Sequence, residues 1–443
     1  MKARIFLLWA LWWGGNYLYA QQPVFSLDQA IDTALANNRQ LKIKSLQVTE
    51  KEAKVREDRI RAYPSFAINS AYLYNANIAE LSIPQGSLGV LPLPTGNVPL
   101  PDKTLDINLG NHSTFLAGAG IYQPITQLSK IKTGIQLSRT EVAISRQERN
   151  KAAIQIRKSV ESVFYGILIT RKQEEEEQAK IALAAIKLYD VQSALLSGKT
   201  IEVNEAGLKA NLADEQQHLL KLQIQEEDYL ADFRYLVQVD SADVRPLEAD
   251  EAPPVNIKDI AELQSMAAAN NADIQMAVLT HAKSELGIKA AKQSYRPDVG
   301  IVAGYSYLKG NVVFPESNPY AGVLFIWNIQ QLFSNKQVLN QRNLAEQEAA
   351  LSVALATESV NKDIAAVCRK INQALRLVAV AQKAYQYRKE ALKVEEDKKA
   401  AGLNIASDIL NAKASLAQAA ADLYAAQLNY RLSLSDMKYL TEK

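Results

Sequence analysis

The twelve residues Tyr63-Pro64-Ser65-Phe66-Ala67-Ile68-Asn69-Ser70-Ala71-Tyr72-Leu73-Tyr74 have a counterpart later in the chain. A shift of 233 positions aligns them, without a gap, with Arg296-Pro297-Asp298-Val299-Gly300-Ile301-Val302-Ala303-Gly304-Tyr305-Ser306-Tyr307. In each copy a helical pattern precedes the proline, which ends a helix because it has no amide hydrogen to donate. Large apolar residues then alternate with small or polar ones, and this alternation predicts a strand with one apolar face.

The large side chains of each copy fall on the same face of the predicted strand. They are Phe66, Ile68, Tyr72 and Tyr74 in the first copy and Val299, Ile301, Tyr305 and Tyr307 in the second. The residues between them, such as Ala67, Asn69 and Ala71, are small or polar. Each strand therefore has one surface suited to an apolar medium and one suited to water.

The duplication extends to the segments before the strands. Ten positions are identical between residues 26–75 and 259–308. Ser26 and Gln29 have the spacing of a capping box that opens a helix, and Asn37-Asn38 is predicted to stop that helix. Asp259 and Asn270-Asn271 occupy the same places in the second copy. The chain is therefore predicted to consist of two related halves.

Both halves are predicted to have the same order of elements. The first structural repeat, 21–239, is predicted to contain a short helix 26–37, a helix 39–62, strands 65–75 and 114–124, a long helix 126–196 and a return helix 202–239. The second, 257–443, is predicted to contain a short helix 259–270, a helix 272–295, strands 298–308 and 320–328, a long helix 334–400 and a return helix 405–440. Residues 240–256, acidic and proline-containing, are predicted to link the repeats, and the proline- and glycine-rich residues 76–113 to form a long loop.

The long helices carry the pattern of a coiled coil. A helix over 126–196 would be roughly 105 Å long at ~1.5 Å per residue. Apolar residues recur at alternating steps of three and four, as at Ile156, Val160, Val163 and Ile167, and on the last helix at Leu423, Ala426 and Tyr430. Gly198 and Gly402 are predicted to form the turns between the long and return helices.

The first twenty residues have the layout of a secretory signal peptide. Lys2 and Arg4 precede an apolar run from Ile5 to Tyr19, and the small residue Ala20 follows. The alternative is a membrane anchor, but the run is shorter than the ~20 residues that a spanning helix needs. Loss of the two cations takes the formal charge from +2 to about zero, so no nucleic-acid partner is predicted.

Assembly of several copies would solve two problems that this chain poses. Four two-faced strands are too few to close a barrel, and the long helices would leave much of their surface in water. If several copies associate, the strands can close into a membrane barrel, the only kind of sheet that satisfies every backbone group in lipid, and the helices can line a tube. Three copies would supply twelve strands; four copies would also give an even number.

The chain resembles the TolC-like family of outer-membrane efflux proteins. The signal peptide, the duplicated order of elements, the Tyr63-Pro64-Ser65 and Arg296-Pro297-Asp298 junctions, and the segment 402–412 carry this resemblance over the whole mature chain. The resemblance implies a mainly α fold in which long coiled-coil hairpins form an α-barrel tunnel, with four strands per chain contributing to a trimeric twelve-stranded β-barrel. It also implies an outer-membrane location, with the helices in the periplasm, and a passive duct coupled to a periplasmic adaptor (membrane fusion) protein and an inner-membrane transporter.

The resemblance also assigns expected roles to single residues. The adaptor-docking tips would be Gly198, Lys199, Gly402 and Leu403, and the periplasmic constriction would involve Asp408, Asn411, Asn404 and Asn204. The junction of barrel and tunnel would lie at Pro64, Pro297 and Pro124. The apolar strand residues already named would face lipid, and Trp327 would lie either in an interfacial aromatic girdle or in ordinary packing. Asp408 has a second interpretation, since an acidic residue early in a helix stabilises it through the helix dipole.

No catalytic constellation is predicted. His112, His218 and His281 fall in a loop and on two separate helices, with no ligand-like spacing to carboxylates, so neither a metal site nor a cofactor is expected. The single cysteine, Cys368, is predicted to be a packed thiol. A different function class stays open, an exported trimeric coiled-coil scaffold or adhesin without channel activity.

Overall fold

The computed structural model describes residues 24–94, 96–196, 202–240, 242–245, 259–312, 314–401 and 406–441. The predicted signal peptide, 1–20, lies outside these residues. The chain divides into two compact units. The helical unit comprises Met1–Leu46, Arg146–Met276 and Ala354–Lys443, and the sheet unit comprises Gln47–Ser145 and Ala277–Val353. Each unit therefore takes corresponding segments from both sequence repeats.

The described helices follow the order predicted from the duplication. They are α1 (Leu27–Asn37), α2 (Arg39–Ile60), α3 (Gln127–Leu196), α4 (Glu202–Val237), α5 (Ile260–Asn270), α6 (Ala272–Gln293), α7 (Ile329–Ala400) and α8 (Ala406–Thr441). None of them, within the described residues, has an apolar stretch long enough to cross a membrane.

The described strands include the four predicted ones and several more. They are β1 (Val24–Phe25), β2 (Ser65–Tyr74), β3 (Glu80–Ile83), β4 (Val90–Leu93), β5 (Gly96–Pro99), β6 (Leu105–Asn108), β7 (Gly110–Pro124), β8 (Asp243–Val244), β9 (Asp298–Asn311) and β10 (Ser317–Ile326). β2, β7, β9 and β10 form one sheet, and the short strands pair as β1 with β8, β3 with β6 and β4 with β5.

Two segments predicted as irregular contain regular structure. In the predicted loop 76–113, β3 pairs with β6 and β4 pairs with β5, both antiparallel. Pro92 and Pro99 lie in the β4–β5 pair, which tolerates them because each strand of a two-stranded ladder has a free edge. In the predicted linker, Ala242 and Val244 are buried, and β8 pairs in parallel with β1.

The asparagine pairs join two helices instead of only ending one. Ser26 and Gln29 form the predicted capping box of α1, but Asn38 has φ −56° and so does not adopt the left-handed stop conformation. Its side-chain Oδ1 accepts from the amides of Gln40 and Leu41, which makes Asn38 the N-cap of α2. Asn271 caps α6 in the same way. Asp259, in contrast, makes no side-chain cap for α5.

The predicted coiled-coil seams form the core of the helical unit. Ile156, Val160 and Ile167 of α3 are buried beside Phe164 and pack with α1 and α4. On α7 and α8 a second cluster contains Ile364, Ile371 and Tyr430. Leu423 and Ala426 are also buried, so the seam predicted on the last helix is confirmed at these positions. Cys368 is buried in the second cluster, as predicted.

Candidate functional site

The four-stranded sheet of the sheet unit has two outer strands that come from different repeats. The order is β10-β9-β7-β2, and every neighbouring pair is antiparallel. β2 and β7 form the hairpin of the first repeat, β9 and β10 form that of the second, and β7 pairs with β9 across the duplication. β2 and β10 each have a strand neighbour on one side only within the described residues. The sheet is therefore open at both edges.

The register places most of the large exposed apolar side chains of the sheet on one face, while Leu73, Leu324 and Ile326 project from the other. Directly paired residues of an antiparallel sheet project to the same side. The apolar face comprises Phe66, Ile68, Tyr72 and Tyr74 of β2, Phe115 and Ile121 of β7, Val299, Ile301, Tyr305 and Tyr307 of β9, and Val323 and Phe325 of β10. The four β2 residues are 64–74% exposed, while Val299 and Tyr307 are half-buried. The eight apolar strand residues singled out in the sequence thus share a single surface.

Many residues of the opposite face are small, and tyrosines pack over some of them. Asn69 pairs with Gly118, and Gly120 pairs with Gly304. The Tyr320 hydroxyl would lie only 2.6 Å from a Cβ placed on Gly304 and 3.2 Å from one placed on Gly120. The Tyr122 ring lies over Gly300 in the same manner. A face of small residues allows a sheet to curve toward that face, and aromatic rings over glycines protect its backbone.

The three prolines predicted at a junction all lie where helix and strand meet. Pro64 and Pro297 immediately precede β2 and β9, and Pro124 is the last residue of β7. Thr126, which the sequence did not single out, joins these ends. Its hydroxyl donates to the Pro297 carbonyl at 2.9 Å and accepts from the Val299 amide at 2.8 Å. Nothing in the local pattern indicated Thr126, because its partners lie more than 170 residues away.

The residues predicted at the tips and the constriction are only partly described. Gly198, Lys199, Gly402, Leu403 and Asn404 lie outside the described residues. Asn204 lies in α4, and its side chain is also outside what the structure describes.

Two of the predicted constriction residues lie on α8. Asp408 is in the first turn, Asn411 follows one turn later, and both are exposed. Hydrogen bonding to Glu395 and, as a smaller effect, the charge of Asp408 raise the pKa of Lys398 on α7. A lysine therefore lies close enough to Asp408 to offset part of its charge.

Helix α7 exposes large apolar side chains at heptad spacing. They are Leu344, Leu351, Leu355, Leu377, Val380, Tyr387 and Val394, each at least half exposed. The steps of seven from Leu344 to Leu351 and from Val380 to Tyr387 to Val394 place them on one stripe of the helix. The buried residues of α7, such as Ile364 and Ile371, occupy a different face.

Trp327 follows β10 directly and is 49% exposed. Its side chain is thus only partly covered at the end of a strand whose apolar face includes Phe325. Both interpretations given to Trp327 in the sequence remain compatible with this position.

One histidine lies closer to carboxylates than the sequence analysis expected. Donor atoms of Glu177, Glu215 and His218 lie within 4.8 Å of one another. Glu215 and His218 are three residues apart on α4 and so share a face of the helix. That spacing was visible in the sequence, but Glu177 comes from α3 and only the fold brings it there.

Comparisons with known proteins identify solved structures of the same architecture. CmeC, the outer membrane channel of Campylobacter jejuni, is 16% identical with a TM-score of 0.71, and the match covers 94% of this chain and 85% of CmeC. CusC, described in relation to transmembrane channel formation, is 14% identical with a TM-score of 0.70 over 94% of this chain and 92% of CusC. The outer membrane protein VceC of Vibrio cholerae is 15% identical with a TM-score of 0.65 over 94% and 96%.

No protein-family model matches the sequence, and no curated protein matches it. The structural matches nevertheless extend over 94% of this chain. They confirm the mainly α fold with a smaller β part that the duplicated sequence predicted. The chain has the fold of these TolC-like outer-membrane channel proteins.

Proposed function

We propose that this protein is the outer-membrane channel of a tripartite efflux or secretion system. In this function it is a passive exit duct, exported by its signal peptide, with its sheet in the outer membrane and its helices in the periplasm. It assembles as a homotrimer and couples to a periplasmic adaptor and an inner-membrane transporter. The transporter supplies the energy, so no enzymatic reaction and no cofactor are assigned to the duct.

The open four-stranded sheet is the observation that carries this proposal. Strand directions alternate across β10-β9-β7-β2, so β2 of one copy and β10 of the next can pair antiparallel. In lipid an unpaired edge is unfavourable because its amides and carbonyls find no water. Three copies would close a ring of twelve strands, an even number usual for bacterial outer-membrane barrels.

The two faces of the sheet support one orientation of the barrel wall. The face of Phe66, Ile68 and Tyr305 is apolar and exposed, as a lipid-facing surface must be. The opposite face contains Asn69 and the glycines of β7 and β9, whose small size fits the concave, wetted side of a barrel. Pro64, Pro124 and Pro297 then mark where the barrel joins the tunnel, and Trp327 lies at the membrane boundary.

The apolar stripe of α7 supports association of the helices. Leu351 and Leu355 are about two-thirds exposed, and such a row at heptad spacing is typical of a seam between helices. A second copy of the chain is the occupant that fits, because the same assembly that closes the sheet brings three copies of α7 into one ring. Coupling to the adaptor is assigned to the tips at Gly198, Lys199, Gly402 and Leu403, and the constriction to Asp408, Asn411, Asn404 and Asn204.

Pairing of the free edges can be tested by cysteine cross-linking. In a Cys368→Ser background, Ser70→Cys in β2 is combined in turn with cysteines at 317, 319, 321 and 323 in β10, all on the apolar face. One or two of these pairs are expected to give covalent trimers on oxidation in membranes. Asn69→Cys is the matched control, because its side chain projects from the other face and should not link to the same positions.

Channel activity is tested on the unmodified protein after it has been extracted from membranes with detergent. The trimer should require detergent for extraction and should produce ion currents in a planar lipid bilayer. Release of the protein from membranes by salt or high pH, with no current, would contradict the proposal and favour the exported scaffold or adhesin. Covalent dimers or tetramers as the end product would contradict the stoichiometry.

A further inference from the structure

Two facing helices of the helical unit bring two carboxylates and an imidazole together. Glu177 lies on α3, and Glu215 and His218 lie on α4. One donor atom from each side chain lies within 4.8 Å of the other two. On α4 the order is Glu-x-x-His, the spacing by which one helix presents two metal ligands to carboxylates on its neighbours in helical bundles.

Glu177 is buried without enough partners for its charge. Its side chain is 9% exposed. Oε1 accepts from Nζ of Lys180 at 2.9 Å, while Oε2 has no hydrogen-bond partner among the described residues. A buried carboxylate oxygen without a donor is costly, and a bound cation is one way of satisfying it.

We propose that Glu177, Glu215 and His218 form a binding site for a divalent transition-metal ion that bridges α3 and α4. An imidazole with two carboxylates suits zinc and its neighbours better than magnesium or calcium, which prefer oxygen ligands only. Three protein donors leave the remaining position to water. Ligand atoms around zinc at ~2.1 Å lie about 3.5 Å apart, a contraction that the exposed His218 side chain permits.

Binding would link the two helices of the first hairpin. It would also compete with Lys180 for Glu177, because both cations use the same carboxylate. The site is formed within one chain and does not depend on the proposed channel function.

The test measures zinc binding to the full-length, detergent-solubilised protein purified without a histidine tag. After treatment with a chelator and removal of that chelator, the protein should take up one Zn²⁺ per chain. His218→Gln and Glu215→Gln should each weaken binding on the order of tenfold or more, since even second-shell changes cost that much in metal sites. An excess of Mg²⁺ should not displace the zinc.

His281→Gln is the matched control, because His281 has a single carboxylate partner, Glu346, at 2.8 Å. This variant should bind zinc as the unmodified protein does. Co²⁺ absorption provides a second measurement, since ligation by His218 should give a visible spectrum that His218→Gln lacks. Absence of zinc uptake by the unmodified protein, or equal uptake by His218→Gln, would overturn the proposal and leave Glu177 with Lys180 as its only cation partner.

Discussion

Gly304 is a residue of the sheet where a side chain has no room. A Cβ there would lie 2.6 Å from the Ala119 carbonyl oxygen and 2.6 Å from the Tyr320 hydroxyl. Because the first of these atoms belongs to the backbone of the neighbouring strand, the clash cannot be relieved by a rotamer change alone. Gly304→Ala is expected to destabilise the protein by about 1–3 kcal/mol, the usual cost of overpacking.

The measurement is urea unfolding of the detergent-solubilised protein. Gly322→Ala in the adjacent strand is the matched control, since its Cβ would meet only Cγ2 of Val302, at 3.9 Å. The control should unfold at nearly the urea concentration of the unmodified protein. An equal loss of stability in both variants would show that the glycines are needed for their backbone freedom, and not because the tyrosine and the neighbouring strand leave no room at Gly304.

Glu174 is a residue whose charge the fold disfavours. Burial, and then the charge of Glu226, raise the pKa of Glu174 from its usual value of 4.5 to about 7. The charge of Arg171 lowers the pKa of Glu174 by a smaller amount, and Arg171 itself is engaged by Glu226 at 2.6 Å and Asp243 at 2.5 Å. One oxygen of Glu174 is buried without a partner among the described residues. Protonation of Glu174 therefore favours the folded state.

Stability of the protein should consequently depend on pH in the range set by this residue. Between the unfolded pKa of 4.5 and the folded value of about 7, the folded state binds more protons than the unfolded state. The free energy of unfolding should therefore fall as pH rises through this range and stay lower above it. Glu174→Gln should flatten this part of the profile and raise the urea midpoint at pH 8.

Glu175→Gln is the control for this prediction. Glu175 is adjacent and exposed, and it pairs with Lys172 on the same helix at 2.6 Å. Exposed pairs of this kind contribute little to stability, so the pH profile should keep its slope. A profile that is equally steep in Glu174→Gln would mean that another group is responsible.

At the scale of elements, local pattern predicted the helices well because their signals are short-range. The capping box at Ser26 and the proline at Pro64 act within a few residues, so α1 and β2 begin within a residue or so of the predicted positions. The pattern at Asn37-Asn38 predicts only a helix stop, because a sequence pattern does not reveal backbone angles. The structure shows that one asparagine both follows α1 and caps α2, which explains why the second repeat has Asn271 at the same place.

The hairpins between β2 and β7 were missed because their prolines and glycines hide the alternation. The hairpin of β2 and β7 is nevertheless held together by contacts that lie outside residues 78–109. The Asn75 amide donates to the His112 carbonyl at 2.7 Å, and the Tyr72 hydroxyl donates to Ser113 at 2.9 Å. These contacts fix the register of β2 against β7 next to the segment 78–109.

Replacement of residues 78–109 by Asn-Gly should therefore preserve assembly. An Asn-Gly turn suits a tight hairpin connection, and a shorter loop lowers the entropy cost of closure slightly. The shortened chain is expected to form the same oligomer on gel electrophoresis and to conduct in bilayers. The control replaces residues 78–109 by a Gly/Ser linker of the same length as that segment. Loss of the oligomer in both variants would assign a structural role in assembly to the segment β3–β6.

At the scale of the whole molecule, the sequence indicated that several copies must associate, but it did not reveal which strands and helices lie next to each other. Both copies of the repeated strand have an apolar face, which alone requires an apolar surrounding. The strand order was not readable, since pairing of β7 with β9 joins residues from different repeats. The contact of His218 with Glu177 was hidden for the same reason, because helix spacing within a sequence does not reveal which helices face each other.

Asp408 gains its proposed role only in the assembled molecule. One exposed carboxylate per chain would become a ring of three by symmetry, which favours cations in the pore. Lys398 offsets part of that field within each chain. Asp408→Asn should therefore lower the cation-to-anion permeability ratio in bilayer recordings at about 0.1 M salt, and the difference should vanish near 1 M, where the Debye length is only ~3 Å.

Asn411→Asp should change the selectivity in the opposite direction, because it adds a second carboxylate one turn further along α8. Asp422→Asn is the control for both variants. Asp422 is exposed on the same helix and has the same charge, but it lies about 21 Å further along at ~1.5 Å per residue. If Asp408→Asn and Asp422→Asn had equal effects, net charge and not a constriction would set selectivity, and Asp408 would keep only its role in stabilising the start of α8.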